Sequence, residues 1–395
     1  MNLPIPDHVW ILIKEKFGSN LRYVVPGTGG EVRDGAVILF NNTGKPGYTR
    51  WEISKNINFS PTFITYDSAD QTYEYQNKRY LETEFLELLK GLPNMIHVLT
   101  LTWNGLDKLQ NLRPGLMKNL ENTGLPFKWY IRDNGSKDGT VEEIKKWEHV
   151  EVLAIDHNRD NFAQGVNSLR IKAHQAVLDK FNMAITFTVG DDGTRVLTKN
   201  RSIGATSMAK IHNDCYLLMN NDVEFGDEVS LSKMLVLMTS DVAIVGCRLL
   251  YNGTDKLQHA GVIFSDRYGK MPYHYRHQET SDTVAEKNRK FQAVTAAVCL
   301  VRAGALDQIG GMDEKFHWAF EDIDMCLRIG ALGHKIVYCG ETKIYHEESA
   351  SLKKNPVNKM FMGPNVDHFK SKWFGKYELD HDKYLKDPLY NEIKC

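Results

Sequence analysis

No run in these 395 residues is apolar for long enough to cross a membrane. The longest, around Val294–Val301, falls far short of the roughly 20 residues a bilayer demands. Neither sign of charge dominates. Lys plus Arg total 49 against 50 Asp plus Glu, a formal net charge of −1, which excludes a uniformly basic chain but not a local basic patch. The N-terminus, Met-Asn-Leu-Pro-Ile-Pro-Asp, has no basic stretch leading into an apolar one, so no signal peptide is expected. Cysteine is scarce and scattered. Six residues (215, 247, 299, 326, 339 and 395) with no Cys-x-x-Cys pair argue for buried free thiols in a reducing compartment, against disulfides or a thiolate zinc site. These absences predict a cytoplasmic protein. Internal repeats and low-complexity tracts are also lacking. At 25% charged and 42% hydrophobic the composition is that of a globular chain, and the length calls for two or three structural units.

Residues 1–92 read as a small strand-rich α+β accessory unit. A short amphipathic helix (8–16) precedes strand-prone pieces at 22–25, 36–40, 48–53 and 62–66, then a hairpin at 72–80 and a helix at 82–89. Gly-Leu-Pro-Asn at 91–94 is a linker. From Met95 the rhythm changes to strand then helix. Ile96–Thr102, Phe127–Arg132 and Glu151–Ala154 are apolar or β-branched strands, separated by helical patterns at 106–120, 141–147 and 167–181. Such alternation predicts a mostly parallel, Rossmann-like sheet covered on both faces, with ligands beyond the C-terminal strand ends. This domain is expected to span 93–350. Residues 182–213 look inserted, and 351–395 form a basic and aromatic extension.

Two acidic turns stand out. In His317-Trp318-Ala-Phe-Glu321-Asp322-Ile-Asp324, three carboxylates fall within four residues, just before an apolar helical run. Like charges so close repel, so the fold must neutralise or use them. The second, Asn220-Asn221-Asp222-Val223-Glu224, follows the apolar Tyr216–Met219, and His346 follows the short strand Lys343-Ile344-Tyr345. A metal-holding turn, a candidate base and a late histidine suggest metal-assisted group transfer. Each has a plainer reading: an Asx turn, acids facing a helix macrodipole, a structural histidine. The residues alone leave these readings open.

From about 95 to 375 the chain resembles a family 2 glycosyltransferase of the GT-A fold, close to the rhamnosyltransferase-like group. The resemblance rests on an ordered set of motifs. These are Leu101-Thr102-Trp103-Asn104-Gly105, Asp133-Asn134-Gly135-Ser136-Lys137-Asp138-Gly139, Asn158–Gly165, Leu217–Asp222, Val245-Gly246 and Gln258-His259-Ala260-Gly261. Glu321-Asp322-x-Asp324, His346-x-x-Ser349 and Phe369-x-x-Lys372-Trp373 complete it. Two segments depart from the pattern: Asp160 or Asn161 stands where a glycine is usual, and Thr295-Ala296-Ala297 replaces a more Gly-rich piece.

The resemblance implies an inverting, metal-dependent transfer from a UDP- or dTDP-type nucleoside-diphosphate sugar, with Mn2+ or Mg2+. It makes Asp222 the chief metal ligand and His346 the ligand that completes the site, with Glu224 a further possible one. Thr102 and Asn104 fall in the donor-binding opening turn, Asn220 near the ribose with Asn221 beside it, and Asp133 at the pyrimidine N3–H. Arg159 falls to the phosphate or base. Asp322 becomes the catalytic base, its proton affinity raised by Glu321 and Asp324, while Glu321, Trp318 and His317 line the acceptor side. The implied acceptor is a glycan or polysaccharide. A second reading is a hydroxymethylated base in DNA, because basic residues at 195–210, the basic-aromatic stretch 267–277 and the tail lysines could track phosphates. A third is a non-catalytic carbohydrate-binding protein on the same fold. Oligomeric state, donor sugar and the role of 1–92 are not legible.

Overall fold

The computed structural model describes residues 5–17, 21–24, 37–42, 62–67, 70–76, 78–157, 160–179, 186–189, 195–198, 213–275, 282–317, 319–347, 362–387 and 389–393. The expected strand at 48–53, most of the 182–213 insert, Arg159, Trp318 and residues 348–361 lie outside them.

The N-terminal unit begins with α1 (Asp7–Phe17) and a five-stranded sheet in the order β1 (Leu21–Val24), β2 (Val37–Asn42), β3 (Thr62–Asp67), β4 (Thr72–Tyr75), β5 (Lys78–Leu81). Helix α2 (Glu82–Gly91) closes it.

The main sheet has ten strands. Its spine is β6 (Ile96–Thr102), β7 (Phe127–Asn134), β8 (Val150–Ile155) and β11 (Cys215–Met219), all parallel. On the other side of β11 lie β18 (Val298–Arg302), β13 (Val242–Tyr251) and β19 (Lys335–His346). Only β18 in this row is reversed, pairing antiparallel with both β11 and β13. The short strands β12 (Val223–Phe225), β14 (Leu257–His259) and β17 (Arg289–Phe291) pair at its margins. Two hairpins stand apart: β9 (Thr186–Val189) with β10 (Arg195–Thr198) inside the insert, and β15 (Val262–Ser265) with β16 (Met271–His274).

Every residue of β11 is buried, which explains its unbroken apolar sequence: helices cover both faces. Alternate residues feed opposite layers. Val98 and Leu217 join a core with Leu109, Leu112, Leu116 and Leu120 of α3 (Leu106–Thr123) and with α6 (Ser230–Val236). Leu99 and Leu218 face a second core with α5 (Phe162–Asp179) and α9 (Glu321–Ala331). The N-terminal unit enters the first core through Val9, Ile13, Tyr73 and Phe85. Phe369 of α10 (Met362–Trp373) and Tyr384 of α11 (His381–Lys386) enter the second. Of the smaller helices, α4 is Thr140–Ile144, α7 Asp282–Ala285 and α8 Ala303–Gln308.

Candidate active site

Thr102, Asp133, Asn220–Asp222 and His346 all sit where parallel strands end, at one edge of the sheet. The first two acidic-turn residues tie this edge together. Asn221 Nδ2 donates to Thr102 Oγ1 at 2.9 Å, and Asn220 Nδ2 lies 3.1 Å from His346 Nε2. A Cβ at Gly105 would come within 2.6 Å of both Thr102 Oγ1 and Asn221 Nδ2, so the contact demands glycine there.

Asp222 and His346 face each other, Oδ1 to Nε2 at 3.3 Å, with side chains only 8% and 13% exposed. Gln258 decides what that contact is. Its Nε2 donates to the carbonyl of His346 at 3.2 Å, so its Oε1, 2.9 Å from His346 Nδ1, must accept. The imidazole proton is thereby fixed on Nδ1, and Nε2 presents a lone pair, which the Asn220 amide can meet. A carboxylate oxygen and a nitrogen lone pair 3.3 Å apart repel unless a proton or a cation lies between them. Burial works to raise the Asp222 pKa, but when His346 also carries a proton on Nε2, that hydrogen bond and charge, with the Lys108 charge, outweigh it and hold the carboxyl below its ordinary range. The donor set suits a hard or borderline divalent ion. Among the described residues no cluster of three or more His, Cys, Asp or Glu offers a complete protein cage, so Asp222 and His346 would leave most positions to phosphate oxygens and water.

Glu224 does not join them. In the β12–β19 pairing Val223 lies opposite His346 and Glu224 opposite Tyr345, so Glu224 is on the other face of the ribbon from the histidine, and it is exposed. A one-residue alternation removes it from the ligand set. Lys108, on the first turn of α3, takes the place beside Asp222 instead. Its Nζ is 3.6 Å from Asp222 Oδ2 and 3.1 Å from Glu347 Oε2. The sequence reading passed over it; its only signal was a lysine with no acid three or four residues away on its own helix.

The turn bearing Glu321, Asp322 and Asp324 reaches the same edge through a shared loop. Asn220 N donates to Ala297 O at 2.9 Å, and Ala296 N donates to Asp322 Oδ2 at 3.2 Å. Consecutive residues of the 295–297 turn thus pin the two acidic turns. Ala319 and Phe320, just before α9, both have positive φ, +68° and +72°, a costly conformation for residues with a Cβ. Stacking of Phe320 on Phe369, centroids 5.1 Å apart, holds that turn.

The three acids of this turn have separate fates. Asp324 is fully buried and neutralised, with Arg328 Nε and Trp373 Nε1 at 2.7 Å and Lys372 Nζ at 2.8 Å. Asp322 stays half-buried, held by the Ala296 and Ile323 amides. Glu321 carries a raised proton affinity. Burial, then the Asp322 and Asp324 charges, push its carboxyl up to about 8, and its Oε2 is buried without a hydrogen-bond partner.

Other expected positions make local hydrogen bonds. Asp133 is fully buried and accepts from the Gly135 and Ser136 amides at 3.1 and 2.9 Å. Asn104 clasps the same turn, donating from its backbone N to Ser136 Oγ at 2.7 Å and accepting from Lys137 N at 2.8 Å. His317 is exposed, its backbone N donating to Asn365 Oδ1 at 3.2 Å.

Residues 171–360 match the family model described as glycosyltransferase like family 2. The O-antigen biosynthesis protein RfbC of Myxococcus xanthus is 29% identical over 186 residues, 44% of this chain and 13% of that protein. N-acetylglucosaminyl-diphospho-decaprenol L-rhamnosyltransferase of Mycobacterium tuberculosis is 31% identical over 65 residues, 16% of this chain and 21% of that protein. The chain spans about a fifth or less of the length of the curated relatives it matches. The solved structure of GalNAc-T7 with UDP, GalNAc and Mn2+ is similar at a TM-score of 0.47 and 12% identity, over 80% of this chain and 51% of that one. No helix among the described residues is long and apolar enough to cross a membrane.

Proposed function

We propose that the chain carries a family 2 glycosyltransferase domain, the family whose model matches residues 171–360, and that it moves a sugar, with inversion, from a UDP- or dTDP-type nucleotide sugar to a hydroxyl of a glycan. One observation carries the metal-dependent part of this reading: Gln258 turns the Nε2 lone pair of His346 toward Asp222, 3.3 Å away, an arrangement that calls for a cation. A Mn2+ or Mg2+ bound there supplies charge to offset the leaving diphosphate, and the imidazole nitrogen favours Mn2+.

Asp322 is the proposed base. It takes the proton of the acceptor hydroxyl as that oxygen bonds to the anomeric carbon. The bond from this carbon to the diphosphate oxygen breaks on the opposite side, and the diphosphate leaves with the electron pair. Asp324 serves to orient: two of its three donors, Lys372 and Trp373, come from α10, so they anchor α9 to it and fix where Asp322 points. The name of the Myxococcus relative supports a surface-glycan acceptor. No observation favours DNA. Half of the basic residues behind that reading lie outside the described ones, and Lys372 is taken up by Asp313 and Asp324, each at 2.8 Å.

The test is a melting screen of nucleotide sugars with and without Mn2+, followed by donor hydrolysis with the sugar that stabilises. Asp322→Asn is expected to keep the Mn2+-dependent melting shift and to lose roughly 10²- to 10⁴-fold in turnover. Full turnover in that variant would remove Asp322 from the role.

A further inference from the structure

Lys108 is the feature that the proposed chemistry leaves unused. Its side chain is only 16% exposed, and its ammonium lies between two carboxylates, 3.6 Å from Asp222 Oδ2 and 3.1 Å from Glu347 Oε2. The position is built from three elements. Lys108 stands on the first turn of α3, whose leading amide, Leu106 N, is held by Asp138 Oδ2 at 3.2 Å. Glu347 directly follows His346, and its backbone N donates to Asp222 O at 3.0 Å, so the Glu347 carboxylate is tethered to the same turn as Asp222. The chain therefore places its own cation against Oδ2 of the carboxylate whose Oδ1 faces His346 and would take a divalent ion.

Resting on the metal reading above, we propose that Lys108 is a place-holding cation that competes with the divalent ion for Asp222, and that Glu347 is the site to which it withdraws when the ion binds. With Lys108 on Asp222, the pair is neutralised and an ion must displace an ammonium to enter. With Lys108 drawn onto Glu347, Asp222 is freed and the ammonium remains beside the site, where it faces the diphosphate of an incoming donor. The arrangement couples metal entry to a local charge exchange and suppresses metal binding without donor. Lys108 and Glu347 are positioning residues in this account, since they act through Asp222.

The experiment is a titration of Mn2+, followed by the loss of its free-ion paramagnetic resonance signal, on wild type, Lys108→Met, Glu347→Gln and the double variant, each with and without UDP. Melting curves confirm that each variant is folded. Removing a unit charge this close to a ligand should tighten Mn2+ binding without UDP by about tenfold or more in Lys108→Met. Glu347→Gln should weaken it, because the ammonium then settles on Asp222. In the Lys108→Met background the Glu347→Gln change should have no further effect, the signature of a coupled pair. A simple loss of structure would weaken binding in every variant, the reverse of the tightening expected. If wild type takes up Mn2+ and Lys108→Met binds it equally or less tightly, the place-holding role is overturned while the metal site stands. If no protein takes up Mn2+ in either arm, both ideas fall.

Discussion

Two histidine–aspartate pairs lie at opposite ends of the main sheet. His97, near the start of β6, meets Asp214, just before β11, at 2.9 Å, with side chains 3% and 7% exposed. His346 meets Asp222 at 3.3 Å at the other end. The residue types are the same and the burial is similar, yet the second partner of each ring differs. His97 Nδ1 is buried with no hydrogen-bond partner, so the ring's proton belongs on Nε2, where it makes an ordinary bond to Asp214. His346 has its proton pulled to Nδ1 by Gln258, so Nε2 and Asp222 both present lone pairs. One pair closes on itself and the other opens toward a cation. The partner behind the ring, not the pair, decides which.

The sharpest way to break this contrast is to neutralise each acid. Asp222→Asn should abolish the Mn2+-dependent melting shift and reduce transfer by roughly a hundred- to a thousandfold, by analogy with loss of one preorganised charge-stabilising group. Asp214→Asn should leave Mn2+ binding unchanged. It should cost about 1–3 kcal/mol of stability, read by denaturant unfolding, because a buried bond is weakened. A loss of Mn2+ binding in Asp214→Asn would erase the distinction.

A subtler variant moves the proton alone. Gln258→Leu removes the acceptor behind His346 and should weaken Mn2+ binding about 10- to 100-fold in a metal titration, the usual cost of losing such a partner. Gln258→Glu keeps an acceptor for Nδ1–H and should restore most of the affinity. If both variants bind alike, the tautomer argument is wrong.

The difference between the pairs also marks how far the sequence could be read. Strands such as Ile96–Thr102 and the apolar run before Asn220 were legible because burial on both faces enforces continuous apolar residues. The turns bearing Asp222 and His346 were legible because polar residues after such strands fall at one sheet edge. What escaped was long-range. Gln258 stands 88 positions from His346, and Lys108 reaches Asp222 from a helix more than a hundred residues away. Neither link has a period or a spacing. Glu224 was ambiguous for a local reason, since a strand of period two puts neighbours on opposite faces, and only its pairing with Tyr345 settles which face. Asp133 could serve a ligand or its own turn: its bonds to the Gly135 and Ser136 amides are local, and only its full burial is tertiary information.

Glu321 extends the comparison to a buried acid with no histidine. Its carboxyl is pushed from 4.5 up to about 8, first by burial and then by the charges of Asp322 and Asp324. The folded state therefore holds this proton more tightly than the unfolded chain does. The resulting stability is fully present below about pH 4.5 and is lost as pH rises toward 8, where the folded group must ionise without a partner. Wild-type melting temperature should carry a decline across that window, and Glu321→Gln, neutral throughout, should flatten it. The gap between the two proteins should widen with pH and level off above about pH 8, at no more than a few kcal/mol. Parallel curves for the two proteins across the window would mean that Glu321 is solvated and ordinary, and that Asp322 has no neutral acid beside it at neutral pH.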